Sequence, residues 1–265
     1  MQCKGIHLVV FSPCKGTLRA AQSLAGGLGG DVKEWNLTTP AAREAFCASK
    51  KTFGPEELVI LAFPVYGGRI PRLGADIFAM LSGSQTPAIL MVVYGNRHYD
   101  DALLEIQREA EKKGFVAVAA VAAVAEHTMA RTVAASRPDA ADAAKLKGIG
   151  GQLAAAVAKM PSAAGVAFTA PGEEPYRRPT HKTPYAPETT AACNQCGTCV
   201  AVCPNGAIPK DAPNTTSVDL CIICSACVGA CPEKARIVTD ERAAAAEKRL
   251  RENFTEPRKE AELFM

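Results

Sequence analysis

Aromatic residues are scarce in this chain, 6% with a single tryptophan, and neither sign of charge dominates, 30 lysines and arginines standing against 27 aspartates and glutamates. A net charge of +3 over 265 residues offers no broad basic field to nucleic acid or to an anionic membrane. Long apolar runs are also missing. The richest, residues 115–125, is too short to span a bilayer and reads as a buried strand, so no membrane insertion is expected. The opening MQCKGIHLVVFSPCKG lacks the charged, apolar and small-residue zones of a signal peptide. No G-x-G-x-x-G follows a strand, which leaves a pyridine nucleotide as direct donor without support. The apolar share of 48% is enough for a real core, and the length suggests two domains.

What the chain does have is cysteine, 11 in all. Eight fall in two copies of one pattern, CNQCGTCVAVCP (Cys193, Cys196, Cys199, Cys203) and CIICSACVGACP (Cys221, Cys224, Cys227, Cys231). Each reads C-x2-C-x2-C-x3-C-P, the spacing that holds iron-sulfur clusters in bacterial ferredoxins. A 4Fe-4S cube takes four thiolates; three come from one tight loop, and in two-cluster proteins the fourth is the last Cys of the other copy. Cys193, Cys196, Cys199 and Cys231 are therefore expected to hold one cluster, and Cys221, Cys224, Cys227 and Cys203 the second. Structural zinc uses two separated C-x2-C pairs and would leave cysteines over. Disulfides need an oxidising compartment; with Cys3, Cys14 and Cys47 as further free thiols, a reducing, low-oxygen cytoplasm is the expected location.

Residues 1–160 alternate apolar β-type runs with helical patterns. Segments 6–12, 58–65, 88–95 and 115–125 read as strands, VKEWNL as a weaker edge strand, and TLRAAQSLAGGL, IPRLGADIFAML, DDALLEIQREAEKKG and about 139–159 as helices. Continuously apolar strands separated by helices predict a five-stranded parallel sheet covered on both faces, an α/β fold. Residues 161–189 carry Pro161, Pro171, Pro175, Pro179, Pro184 and Pro187 and read as an extended connector, either a stiff spacer or a strap anchored by its tyrosines. Residues 190–239 hold the repeated cysteine pattern, offset by 28 residues, as expected of a pseudo-two-fold module. Residues 240–265 read as a mixed-charge helix and tail, packed on a domain surface or solvated.

In open α/β sheets, ligands bind at the carboxyl ends of the strands. Three loops there carry the chemistry for a flavin. Ser12, Cys14, Lys15, Gly16 and Thr17 follow the first strand and open a helix, where free N–H groups and the helix dipole favour a phosphate. Pro64, Val65, Tyr66, Gly67 and Gly68 offer backbone that can approach a flat ring. Tyr94, Gly95, Asn96, Arg97 and Tyr99 add stacking and hydrogen bonds. A phosphate seat with two ring-contacting loops describes FMN better than a dinucleotide. His127, after the fifth strand, is the candidate catalytic residue, a proton donor to reduced flavin, its alternative being a satisfied loop histidine. Cys14, at a helix N-terminus beside Lys15, should have a lowered pKa, unless it is only a small residue fitted to a tight loop.

These motifs resemble the flavodoxin-ferredoxin fusion proteins of anaerobic bacteria and archaea. FSP at 11–13, PVYGGRIP, VYGNRHYDDALLEI, AEHT at 125–128 and the doubled cysteine runs stand where that family has its motifs. The resemblance implies a flavodoxin-like domain binding FMN at Ser12, Thr17 and the loops 64–68 and 94–99, followed by a small α+β ferredoxin domain with two 4Fe-4S clusters. Where the family's first loop usually reads S-P-T-G-T-T, this chain has Ser12-Pro13-Cys14-Lys15-Gly16-Thr17, and Lys15 would offset the missing hydroxyls by its charge. The expected function is soluble electron transfer between FMN, the clusters and redox partner proteins such as ferredoxin-dependent oxidoreductases, with a homodimer open. The alternatives are an FMN-dependent reductase of a small substrate fed by its own ferredoxin module, and a ferredoxin carrying a flavin-free docking domain.

Overall fold

Residues 3–179 and 184–265 are described by the computed structural model. β1 (Gly5–Val10), α1 (Gly16–Leu28), β2 (Val32–Asn36), α2 (Pro40–Ala48), β3 (Glu57–Pro64), α3 (Leu73–Met80), β4 (Thr86–Tyr94), α4 (Ala102–Glu111), β5 (Phe115–Val124) and α5 (Ala140–Lys159) alternate along the chain. The five strands pair in parallel in the order β2-β1-β3-β4-β5. All nine residues of β4 are buried, because helices cover both faces of a parallel sheet.

One face packs Phe11, Phe46, Phe53, Phe63, Phe78 and Phe115 into a single cluster. The other packs Leu24 and Leu28 of α1 with Leu146, Ile149, Leu153 and Val157 of α5. Each such side chain contributes about 1.5–3 kcal/mol on full burial. α1 and α5 approach closely at Gly27 and Gly150: a Cβ on Gly27 would lie 2.0 Å from the Lys147 carbonyl oxygen, and one on Gly150 2.2 Å from that of Leu24. α5 begins on a capping box of Asp139 and Asp142. α2 has no counterpart in the sequence reading, although Thr39 accepts a hydrogen bond from the Ala42 N–H and Pro40 sits at the first helical position.

The cysteine-rich unit that follows is small: β6 (Glu188–Thr189) pairs with β7 (Arg236–Ile237) antiparallel, and α6 (Thr198–Ala201) and α7 (Ala226–Ala230) are the short helices of the two cysteine copies. Its repeat is visible in the backbone. Left-handed residues recur 28 apart, at Gln195 and Ile223, Gly197 and Ser225, Gly206 and Lys234.

The C-terminal helix packs on the first domain, Leu250 and Phe254 against Ala130 and Val133, and the tail beyond it joins the sheet. α8 (Glu241–Phe254) leads to β8 (Glu262–Phe264), which pairs antiparallel with β5 and makes a sixth strand. The described part of the connector is a strap rather than a free spacer. Gln107 of α4 accepts from the Ala170 N–H and donates to the Phe168 carbonyl, Asp101 accepts from the N–H groups of Glu173 and Arg177, and the Tyr176 ring lies 4.0 Å from the Arg69 guanidinium. Residues 180–183 of the connector lie outside the described residues. Among the described residues, no helix is long and apolar enough to cross a membrane.

Candidate functional site

The eight cysteines sort into two hollows, and the sorting crosses the sequence copies. Cys193, Cys196, Cys199 and Cys231 line one, together with Arg236; Cys203, Cys221, Cys224 and Cys227 line the other, together with Ile208. Backbone N–H groups point at sulfur in matched pairs: Gln195 to Cys193 and Ile223 to Cys221, both at 3.4 Å, then Ala207 to Cys203 at 3.2 Å and Ala235 to Cys231 at 3.3 Å. At Cys221 the donor lowers the thiol pKa, but burial outweighs it and the net direction is up. Among the described residues, no three His, Cys, Asp or Glu side chains converge as the ligands of one ion would. A cube that meets each thiolate through a different iron calls instead for ligands spread around a hollow, and the two sets fit that requirement.

The second feature is a cleft of about 470 Å³ at the carboxyl end of the sheet. Ser12, Cys14, Gly16 and Thr17 line it, as do Pro64, Val65, Tyr66 and Gly67, and then Tyr94, Gly95, Arg97 and His127. Ser12 Oγ accepts from the Leu18 N–H at 2.9 Å, which holds the first loop against the start of α1. Among the described residues, no protein acceptor faces the N–H groups of Gly16 and Thr17. Gly67 and Gly68, at φ 64 and 89, are the two central residues of a tight hairpin turn closed by bonds between Tyr66 and Arg69. A phosphate at the first turn and a ring between the second and third loops fit this donor set.

Four of the expected flavin contacts lie outside the cleft lining: Lys15, Gly68, Asn96 and Tyr99. Lys15 caps α1 in a left-handed conformation and is exposed. Gly68 backs onto Asp100. The Asn96 amide donates to the carbonyls of Phe254 and Pro257 and accepts from the Lys259 N–H, so it ties down the C-terminal tail. Tyr99 is 6% exposed and packs edge-on against Tyr94 and Phe264. Cationic side chains that the sequence reading did not single out line the cleft instead, among them Arg19, Arg131 and Arg249. Arg137 lines it too but is neutralised by Asp142, with Nε to Oδ2 at 2.8 Å.

Two expected ionisations are corrected. Burial pushes the Cys14 thiol up to about 11, against the lowering expected from its helix terminus and lysine, and its Sγ donates to the Cys224 carbonyl at 3.0 Å. The reason is desolvation, which outweighs a helix dipole and a lysine that faces solvent. His127 is pulled down to about 4 by burial and by Arg97, and its Nδ1 accepts from the N–H groups of Met129 and Ala130. At neutral pH it is therefore uncharged, with its proton on Nε2. It is a hydrogen-bond donor rather than an imidazolium acid.

The cleft and the second hollow share a wall. Ile222 and Ile223, inside the second cysteine copy, line the cleft, and Cys14 meets Cys224 from the other side. Arg43, 8% exposed, donates to the carbonyls of Leu37 and Thr38 and across to that of Pro204 at 2.7 Å; Arg72 reaches the carbonyls of Cys221, at 3.1 Å, and Asp219. Two arginines of the first domain thus clamp the second hollow, Arg43 through Pro204 of the first copy and Arg72 through Cys221 of the second.

A doubly wound domain with strand order 2-1-3-4-5 has the flavodoxin topology. In class, the chain is a flavodoxin-like domain fused to an iron-sulfur domain. Residues 192–236 match the family model of the 4Fe-4S dicluster domain. No curated protein matches the chain. Among solved structures, a flavodoxin of Streptococcus pneumoniae TIGR4 is 18% identical and covers 57% of this chain and 98% of its own, at a TM-score of 0.40. A flavodoxin from the domain Archaea is 12% identical, covering 58% and 98% at 0.37, and an oxidoreductase of Corynebacterium diphtheriae is 15% identical, covering 60% and 100% at 0.39.

Proposed function

We propose that this chain is a cytoplasmic electron-transfer protein that carries FMN and two 4Fe-4S clusters and exchanges electrons with partner redox proteins. FMN takes electrons in pairs and releases them singly, whereas each cluster carries one. Ser12, Thr17 and the open N–H groups of Gly16 and Thr17 hold the phosphate. Val65, Tyr66, Tyr94 and Gly95 bound the ring, and His127 offers Nε2–H as a neutral donor. Cys193, Cys196, Cys199 and Cys231 hold one cluster; Cys203, Cys221, Cys224 and Cys227 hold the other.

One observation carries the reading: the loop of the second cysteine copy is itself a wall of the cleft. Electron donor and acceptor groups seated on the two sides of a common wall need no diffusional encounter. Arg72 holds that loop through the Cys221 carbonyl, Arg43 holds the neighbouring Pro204, and the Cys14 thiol ties the first loop to the Cys224 carbonyl.

A second reading, an FMN-dependent reductase of a small substrate, is favoured by the surplus of cations: Arg19, Arg131 and Arg249 line the cleft, and Glu126 is the one acid among the lining residues. Anaerobic purification with iron, sulfide and released-flavin quantitation tests the first reading. Eight irons and one FMN per chain are expected, and Thr17→Ala should weaken FMN by about 1–3 kcal/mol, the worth of a hydrogen bond to a charged group. A protein that takes up no added FMN, or holds four irons or fewer after reconstitution, refutes it.

A further inference from the structure

Five residues after the last cysteine of each copy, the repeat breaks its own symmetry. Ile208 follows Cys203 and Arg236 follows Cys231. Both are buried, at 3% and 2% exposure, and each lines the hollow of the cysteine it follows. One hollow therefore has an aliphatic wall where the other has a guanidinium.

Arg236 is an unusual cation. Among the described residues, no carboxylate stands within ion-pair distance of it. Its Nη1 donates to Thr216 Oγ1 and the Pro187 carbonyl, and its Nη2 to the carbonyls of Pro213 and Thr215 and to Cys199 Sγ at 3.6 Å. Nε is buried without a partner among the described residues. A buried, unpaired cation is costly, so a chain that keeps one needs a compensating anion. The compensating anion is the thiolate cluster whose hollow Arg236 lines and whose Cys199 sulfur it bonds, although the Arg236 charge also reaches Cys221 and Cys227 of the other set. A cluster adds a unit of negative charge when it takes an electron, and nearby charge and hydrogen bonds to sulfur raise its reduction potential.

Resting on the two-cluster reading above, we propose that Arg236 gives the cluster held by Cys193, Cys196, Cys199 and Cys231 a higher reduction potential than the cluster held by Cys203, Cys221, Cys224 and Cys227. The lower-potential cluster then adjoins the cleft, and the higher-potential one lies in the copy whose Asn194, Gln195 and Cys196 are exposed to solvent. An electron delivered from the cleft side moves downhill to the exposed loop, which is the terminal a partner redox protein would touch. Arg236 acts through the cluster's charge and the Cys199 sulfur and is a tuning residue rather than a catalytic one.

The test is an anaerobic potentiometric titration of the cluster-loaded full chain, with electron paramagnetic resonance detection and assignment of the shifted cysteine β-protons by nuclear magnetic resonance. In the unmodified chain, the Cys199 cluster should be favoured for the electron at least tenfold, a separation of about 59 mV for one electron. Arg236→Met should lower that cluster at least tenfold relative to its neighbour, while Arg236→Lys retains most of the separation. Equal potentials in the unmodified chain, or reduction of the Cys221 cluster first, overturn the proposal even if Arg236→Met does not load. So does an Arg236→Met protein that keeps eight irons and an unchanged separation. Iron at four or fewer per unmodified chain fails the two-cluster reading instead, and the proposal with it.

Discussion

Replacing Glu105 with glutamine isolates the ion pair that fixes the second cleft loop. Arg69 and Glu105 are each 8% exposed and pair bidentately, Nε to Oε2 at 2.8 Å and Nη2 to Oε1 at 2.7 Å. Glu105 Oε2 also accepts from the Ile70 N–H at 2.9 Å, and Arg69 Nη1 donates to the Arg178 carbonyl of the connector at 2.7 Å. Glutamine keeps the shape but leaves a buried guanidinium without its counter-charge, at a cost of about 3–5 kcal/mol. For a chain of this size, one kcal/mol corresponds to about 2–4 °C of melting temperature, so a fall of about 6–20 °C is expected by anaerobic calorimetry. The double replacement Arg69→Met with Glu105→Met removes both charges and should cost less than the single one, since apolar side chains of similar volume replace buried ion pairs at little loss. FMN titration of Glu105→Gln should show weaker binding, because the Tyr66–Arg69 turn loses its anchor. A melting change under 2 °C, or a double variant less stable than the single, would show that the pair does not organise this loop.

Cys203→Ala should damage the cluster bound by Cys221, Cys224 and Cys227, read as loss of its resonance signal with the other retained; damage confined to the Cys193 cluster would reverse the crossed pairing. Because the folded His127 titrates at about 4, below its ordinary value near 6.5, the unfolded chain binds the proton first. Its contribution is complete above pH 6.5 and falls by about 3 kcal/mol as pH drops toward 4; His127→Gln should flatten that part of the stability profile, and an identical profile would refute the assignment.

The parallel sheet was legible because β3, β4 and β5 are buried on both faces and so read as unbroken apolar runs. The crossed cysteine sets were read from the two-cluster ferredoxin spacing, and the side chains group around the two hollows in the same sets. β8 was not: three residues, Glu262–Phe264, carry no periodicity, and only the free edge of β5 makes them a strand. Asn96 and Tyr99 show the limit of reading loops, where residue type names the chemistry but not the direction. Asn96 faces a tail more than 150 residues away along the chain. Cys14 fails for a related reason, as the carbonyl that receives its S–H is 210 residues distant.

The return of the chain to β5 makes the iron-sulfur unit an insertion with two moorings, the connector strapped along α4 on one side and α8 with β8 on the other. A unit moored at one end can swing; one moored at both can at most rock about the line joining its anchors. The distance between the cleft and the cysteine hollows is thereby held by the topology of the chain as well as by the arginine clamps. Cutting the chain after residue 239 would free one mooring and leave the rim of β5 bare, a row of unpaired peptide groups open to pairing with other chains.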